Sequence, residues 1–396
     1  MKLSLLTLAV STVVTSANSD HTMLKGVAAD GPAIGLNVSS VLKQYIVSSK
    51  NDACCDEVDI RSKEKNPRRS ERESKRSFVS SCFITIEAES LESAQRYVQD
   101  ACGTVENGDS KVEEDKIGHA SVYTDEWGLD RLNGAVLDND YSASRGGSGV
   151  TIYVLDSGIN HQHEDFEGRA SFGANFITSE IDDDLNGHGT HVAAVAAGFK
   201  YGVARQANVI GVKVLGANNQ GSYAGIVQGI SWAVNHMLTE GTKGVLSMSI
   251  TGPYSASLNQ ALVEAADQGF IVVVAAGNYN DDACNYSPAS TMGDIVTVAA
   301  ISQGDHRWTN SNYGPCVNMF APGDSVKSAW IGSTTATATL SGTSMATPHV
   351  AGAAAQFLQL RNGNRRRALN SLFGASEQNN VIDPGVGSDN RIMRTS

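Results

Sequence analysis

From residue 127 onward the chain alternates between two hydrophobic patterns. Runs with few polar positions occur at Val150 to Leu155, Val209 to Val214, Val245 to Ile250 and Phe270 to Ala276. Between them apolar residues recur every three or four positions, as from Ile226 to Met237 and Leu258 to Gln268. Runs apolar on both faces predict strands buried on both sides, and the intervening period predicts amphipathic helices. Such alternation predicts an α/β fold, a mostly parallel sheet with helices on both faces. In sheets of this kind functional groups gather at the carboxyl ends of the strands. Asp156 and the run Ala275-Ala276-Gly277-Asn278 fall at such ends, and His188 opens a small-residue helix that Gly198 closes.

The preceding region has a different texture. Gln44 to Ser48 and Phe78 to Glu87 predict strands, and Leu91, Ala94, Tyr97, Val98 and Ala101 fall on one helical face. The charged stretch Arg61 to Arg76 predicts a solvated loop, with Arg68-Arg69 and Lys75-Arg76 as dibasic candidates for processing. At the start, Lys2 precedes an apolar run from Leu3 to Val14 and then small polar residues. That pattern predicts a secretory signal over residues 1–17, cleaved after Ala17. The run is too short to span a bilayer, and no later segment is long and apolar enough.

Composition narrows the partners. A net charge of −12 over 396 residues argues against nucleic acid. Six cysteines divide into Cys54, Cys55, Cys82 and Cys102 before Trp127, and Cys284 and Cys316 after it. Secretion permits disulfides, but spacing alone does not pair them. Asn37 and Asn285 lie in glycosylation sequons whose occupancy requires exposure.

Three segments carry the candidate chemistry: Val154-Leu155-Asp156-Ser157-Gly158, Asn186-Gly187-His188-Gly189-Thr190-His191, and the run from Gly342 to Gly352 around Ser344. A serine at the start of a helix sits where negative charge is stabilised. Its hydroxyl needs a base within hydrogen-bond reach, and an imidazole titrates near neutrality. A carboxylate on the other ring nitrogen fixes the tautomer and stabilises the imidazolium. His188 and His191 stand three apart, but without an H-E-x-x-H pattern or a nearby cysteine they do not read as metal ligands. His191 and His349 read as packing, and His161 and His163 as an exposed loop.

The order Asp156, His188, Ser344 within these motifs resembles the subtilisin-like serine proteases, closest to the proteinase K branch. The resemblance runs from about Trp127 to the end and more weakly before it. It implies a secreted endopeptidase made as a zymogen: a small α+β propeptide over residues 18–119, ending in a strand near Val112 to Lys116, then a peptidase domain over 120–396. The propeptide would inhibit its own enzyme until removed, between about Ile117 and Val122. Asn278 and the Ser344 N–H would bind the oxyanion. Asn219, Gln220 and Gly221 would form one substrate edge and Ser249, Ile250 and Thr251 the other, with Thr251 standing where the family has glycine. Ala275, Ala276 and Gly277 would line a pocket with room for large apolar or aromatic side chains. Cys284 and Cys316 would be bridged.

Some relatives bind calcium through an aspartate where this chain has Asn318, so no cofactor is expected to be required and calcium binding there is expected to be weak or absent, unless Asp294 compensates. The implied partners are polypeptide substrates and the propeptide, with no nucleic acid or membrane, and the enzyme would be a monomer. Two rivals stand beside this reading. A kexin-like processing protease would require an extra β-domain, and about fifty residues follow Ser344. A catalytically silent binding protein would have lost one of the four catalytic groups, and all four are present.

Overall fold

The computed structural model describes residues 43–49, 76–78, 81–88, 91–102, 110–114, 122–123 and 126–395, apart from 135–136, 139 and 143–144. The expected signal segment, Asn37, Cys54, Cys55 and the charged stretch up to Lys75 lie outside the described residues. The chain divides into two compact units, Met1–Gly118 and His119–Ser396.

In the first unit β1 (Lys43–Ser49), β2 (Arg76–Phe78), β3 (Ser81–Ala88) and β4 (Ser110–Glu114) form an antiparallel sheet in the order β2-β3-β1-β4. The single strand expected from Phe78 to Glu87 is corrected. Phe78 pairs with Ser81, so the chain reverses inside the apolar run. A two-residue connection of this kind usually carries glycine or asparagine; here Val79-Ser80 supplies no such signal. Helix α1 (Leu91–Cys102) buries Ala94 and Val98 of the expected face and leaves Tyr97 half-buried.

The second unit opens with β5 (Val122–Tyr123), α2 (Trp127–Asn133) and β6 (Asp140–Tyr141). Its sheet then uses β7 (Val150–Asp156), β8 (Ala170–Asn175), α3 (His188–Ala197), β9 (Asn208–Lys213), α4 (Tyr223–Glu240) and β10 (Lys243–Met248). The chain continues through β11 (Gly252–Pro253), α5 (Ala256–Asp267), β12 (Ile271–Ala275), β13 (Tyr286–Ser287), β14 (Ile295–Ile301) and β15 (Met319–Pro322). It ends with β16 (Val326–Ala329), β17 (Thr337–Leu340), α6 (Thr343–Leu360), α7 (Arg365–Ala375), β18 (Glu377–Gln378) and β19 (Arg391–Ile392). The sheet order is β18-β19-β15-β14-β12-β10-β7-β9-β8, parallel except where β18 meets β19.

Both faces of the sheet are covered, as two-sided apolar strands require. Ile152 and Val154 of β7 point into the core shared with α3 and α6, while Tyr153 and Leu155 point into the core shared with α4 and α5. β12 repeats the alternation, with Ile271 and Val273 on one side and Val272 and Val274 on the other. Helices α3 and α6 approach closely because their contact residues are small. A Cβ on Gly352 would lie 2.6 Å from the Ala196 carbonyl oxygen, a distance no side chain tolerates.

A disulfide joins Cys284, in the turn after β12, to Cys316, before β15, with Cα atoms 5.4 Å apart and a sequence separation of 32. It ties two loops that extend the carboxyl ends of neighbouring strands. Closing a loop of that length contributes about 3–4 kcal/mol in the chain-entropy account. Replacing both residues, Cys284→Ser with Cys316→Ser, is expected to lower the calorimetric midpoint by roughly 10 °C. An unchanged midpoint would show that the bridge does not limit stability.

Candidate active site

Strand β7 delivers Asp156 to the carboxyl edge of the sheet, where it is fully buried. Its Oδ1 accepts the Ser157 N–H at 2.8 Å and lies 2.7 Å from His188 Nδ1. A carboxylate can only accept, so Nδ1 carries the proton and Nε2 is left as the basic nitrogen. Burial of His188 works against the imidazolium. The adjacent Asp156 charge and hydrogen bond, with Asp184 farther off, outweigh it and raise its pKa above the ordinary value.

His188 is the first residue of α3, and Gly187 before it adopts a φ of 101° that favours glycine. The turn is organised by Asp184, the last of three consecutive aspartates. Its Oδ1 accepts from Ser157 Oγ (2.8 Å), Gly187 N (2.8 Å) and Asn186 N (3.1 Å), and its Oδ2 from Thr190 N (2.9 Å) and Thr190 Oγ1 (2.6 Å). Burial alone would raise the Asp184 pKa, but these donors hold it below the usual value. Ser157 Oγ in turn accepts the Gly189 N–H at 2.9 Å. The end of β7 and the start of α3 are thereby tied at the level of Asp156 and His188. An aspartate two and three residues before the amides it receives is the sequence trace of such a turn.

His191 and His349 are packing groups. Burial pushes each down to about 4, and their rings meet the Val326 and Met345 carbonyl oxygens. His163 corrects the expected exposed loop. It is buried, its Nδ1 accepts the Asp165 N–H at 3.1 Å, and its Nε2 lies 2.9 Å from the Ala336 oxygen. The apolar neighbour Phe166 packs edge-on against its ring, a contact across a short 3-10 turn that local polarity does not reveal.

Ser344 is the second residue of α6, at the positive end of an 18-residue helix. Pro348, four residues on, has no N–H to give the Ser344 carbonyl. Ser249 Oγ donates to that carbonyl instead at 2.8 Å, and Ser344 Oγ donates to the Ser249 carbonyl at 3.3 Å. Val154 of β7 pairs with Ser247 of β10. Ser249 and Asp156 each lie two residues beyond that paired position on adjacent strands. The Ser344 backbone is thus anchored one strand over from the Asp156–His188 pair.

Asn278 follows β12. Its Oδ1 accepts from Thr343 N at 2.9 Å and Thr343 Oγ1 at 2.8 Å. The Nδ2 end lies beside the Ser344 helix start: a Cβ on Gly342 would stand 3.2 Å from Nδ2 and 3.6 Å from the Ser344 nitrogen. Thr343 also accepts the Gly277 N–H at 3.1 Å, and buried Asn312 accepts from Tyr279 N and Asp281 N. Thr343 and Asn312 are positioning residues that sequence motifs did not single out.

Asn219, Gln220 and Gly221 form an exposed turn, closed by the Gly216 N–H on the Gln220 oxygen at 2.9 Å. Fully buried Lys213 braces it, donating to the Ser157 oxygen at 2.7 Å and pairing with Glu180, whose Oε1 receives the Ala217 N–H. Ser249, Ile250, Ala275 and Ala276 are buried, and Thr251 is partly exposed. Asn318 Oδ1 accepts the Thr297 N–H at 2.8 Å, and Asp294 pairs with Arg365 at 3.0 Å.

Comparison with known proteins gives one consistent result. Residues 147–383 match the model of the Subtilase family. Subtilisin-like protease 2 of Pseudogymnoascus destructans is 48% identical over 287 residues, 72% of this chain and 70% of that protein. Alkaline serine exoprotease A of Vibrio alginolyticus is 42% identical over 270 residues, 67% of this chain, which spans about half (49%) of that longer protein. A crystal structure of a cold adapted subtilisin-like serine proteinase superposes with a TM-score of 0.65 at 40% identity, covering 69% of this chain and 99% of that one.

The raised pKa of His188 has a kinetic consequence. A base must be unprotonated, so kcat/KM for a peptide substrate should climb with pH through an inflection above 6.5, the ordinary imidazole value. Asp156→Asn removes the charge that raises it, so the inflection should move to lower pH while kcat falls by about 10⁴. A pH profile whose inflection does not respond to Asp156→Asn would separate the two side chains functionally.

Proposed function

The chain belongs to the subtilase family, and from that premise we propose that this serine endopeptidase cuts polypeptides through Asp156, His188 and Ser344, with Asn278 binding the oxyanion. On substrate binding the Ser344 hydroxyl leaves the Ser249 carbonyl and turns to His188 Nε2. Its oxygen attacks the scissile carbonyl while its proton passes to Nε2, and the bond electrons move onto the carbonyl oxygen. Asn278 Nδ2 and the Ser344 N–H receive that oxyanion. Collapse expels the amine, which takes the proton from His188, and leaves an acyl-enzyme. Water, deprotonated by His188, then releases the acid and restores Ser344.

The observation that carries this reading is the orientation of Asn278. Its carbonyl oxygen is engaged by two donors of Thr343, next in sequence to Ser344. An amide whose purpose was to cap the helix would need only that oxygen; here Nδ2 and the Ser344 N–H neighbour one point at the helix start, 3.2 Å and 3.6 Å from where a Cβ on Gly342 would stand. The substrate lies extended between the 219–221 turn and the 249–251 segment, adding a strand, with an apolar side chain before the cleaved bond entering the space beside Ala275, Ala276 and Gly277. The enzyme is secreted as a zymogen with residues 18–119 as its inhibitory propeptide, and it acts as a monomer. Among the described residues no helix is long and apolar enough to cross a membrane.

Ser344→Ala is expected to reduce turnover on the order of 10⁶-fold, the loss known for the serine of a subtilisin, and to leave the propeptide uncleaved. Asn278→Ala should lower kcat about 10²–10³-fold with KM nearly unchanged, again the subtilisin magnitude. A purified Ser344→Ala protein that cleaves at the wild-type rate would overturn the mechanism, and an Asn278→Ala defect confined to KM would remove the oxyanion role. No calcium is required at Asn318, so a chelator should shift the thermal midpoint of the mature enzyme by less than about 2 °C, within the effect of 1 kcal/mol. A large fall in midpoint, abolished by substitutions in the 294–318 region, would show that the site binds metal despite its asparagine.

A further inference from the structure

We propose that Thr251 closes the pocket for the side chain preceding the scissile bond to aromatic rings, so that the enzyme prefers small and unbranched aliphatic residues there; this rests on the mechanism and substrate path given above. On the substrate path proposed above, the pocket lies between two segments that leave the carboxyl ends of β10 and β12. One wall is Ala276-Gly277, the other Thr251. A Cβ placed on Gly277 would come within 2.9 Å of Thr251 Cγ2. With a carbon–carbon bond of about 1.5 Å, the methyl therefore sits within roughly 4.4 Å of the Gly277 α-carbon. A flat ring needs contacts of about 3.5 Å on each face, or some 7 Å between the wall atoms it enters. At the level of Thr251 the walls are already in contact with one another.

Neither wall is free to spread. The Ala276 oxygen accepts from Asn312 Nδ2 at 2.9 Å, the Gly277 oxygen accepts from Asn312 N at 2.8 Å, and the Gly277 N–H is held by Thr343 Oγ1. On the other side, Gly252 and Pro253, directly after Thr251, pair antiparallel with Ser287 and Tyr286. Tyr223 Oη donates to the Pro253 oxygen at 2.6 Å. The backbone that carries Thr251 is thus held beside a held glycine, and the threonine methyl occupies space that alanine and glycine walls alone would leave open.

The test compares kcat/KM for peptides that differ only in the residue before the cleaved bond: Ala, Leu, Met, Phe and Tyr. The wild-type enzyme should favour Leu and Met over Phe by about 10-fold or more, the scale on which a pocket discriminates by size. Thr251→Ser keeps the hydroxyl and removes the methyl, and should raise the Phe-to-Leu ratio by about 10-fold. Thr251→Val keeps the methyl and removes the hydroxyl, and should retain the wild-type ratio, which separates pocket size from polarity and from misfolding. Equal cleavage after Phe and Leu by the wild type, or a ratio unmoved by Thr251→Ser, overturns the assignment of Thr251 while leaving the mechanism standing. Absence of any Ser344-dependent cleavage overturns the mechanism, and this assignment falls with it.

Discussion

A carboxylate buried without a countercharge has to be solvated by the chain around it, and Asp184 shows what that requirement builds. Five donors converge on it from three places: the residue after β7, the turn before α3 and the first turn of α3 itself. Breaking one of these bonds strands part of a buried charge, which costs several times what an exposed bond would. The turn therefore has essentially one arrangement, and in it His188 Nδ1 meets Asp156 Oδ1. The Asp156–His188 pair is placed by a strap that bonds to neither side chain.

The serine side follows a related logic of satisfied backbone groups. Pro348 withholds a donor from the Ser344 carbonyl, and Ser249 supplies one in its stead. The two serines then hold each other, and α6 is registered against β10 at the residue where chemistry is proposed. Thr343 performs the matching service for Asn278, taking its amide oxygen so that its nitrogen is presented. Three adjacent strands, β7, β10 and β12, thus each end in a group whose position is fixed by a hydrogen bond to the start of a helix. The sheet supplies spacing and the helix N-termini supply a positive field for the developing oxyanion.

Much of the fold was legible because it rests on patterns a linear sequence carries. The two-sided apolar strands around Val150 and Phe270 forced a covered parallel sheet, and the motifs around Asp156, His188, Asn278 and Ser344 each sit at a strand end or helix start. What stayed hidden depends on contacts between distant residues. Asp184 looks like one more surface acid in an acidic run. Asn312 reads as an ordinary loop residue, although its side chain is bonded to Ala276, Tyr279 and Asp281. His163 appears polar and exposed until the Ala336 carbonyl and Phe166 enclose it. The turn between β2 and β3 was missed for the opposite reason, since Val79-Ser80 lacks the residues that usually mark a reversal. The pocket illustrates the same boundary: the family resemblance implies Thr251 beside the substrate, but only the structure brings its methyl close to Gly277.

The central claim is that Ser344, activated by the His188–Asp156 pair, is the nucleophile. The most direct measurement is to treat the secreted, mature protein with a fluorophosphonate and locate the adduct by peptide mass mapping. A single phosphonylated residue at Ser344, formed far more slowly in His188→Ala, is the predicted result. An adduct on another serine, or labelling of Ser344 at the same rate without His188, would contradict it.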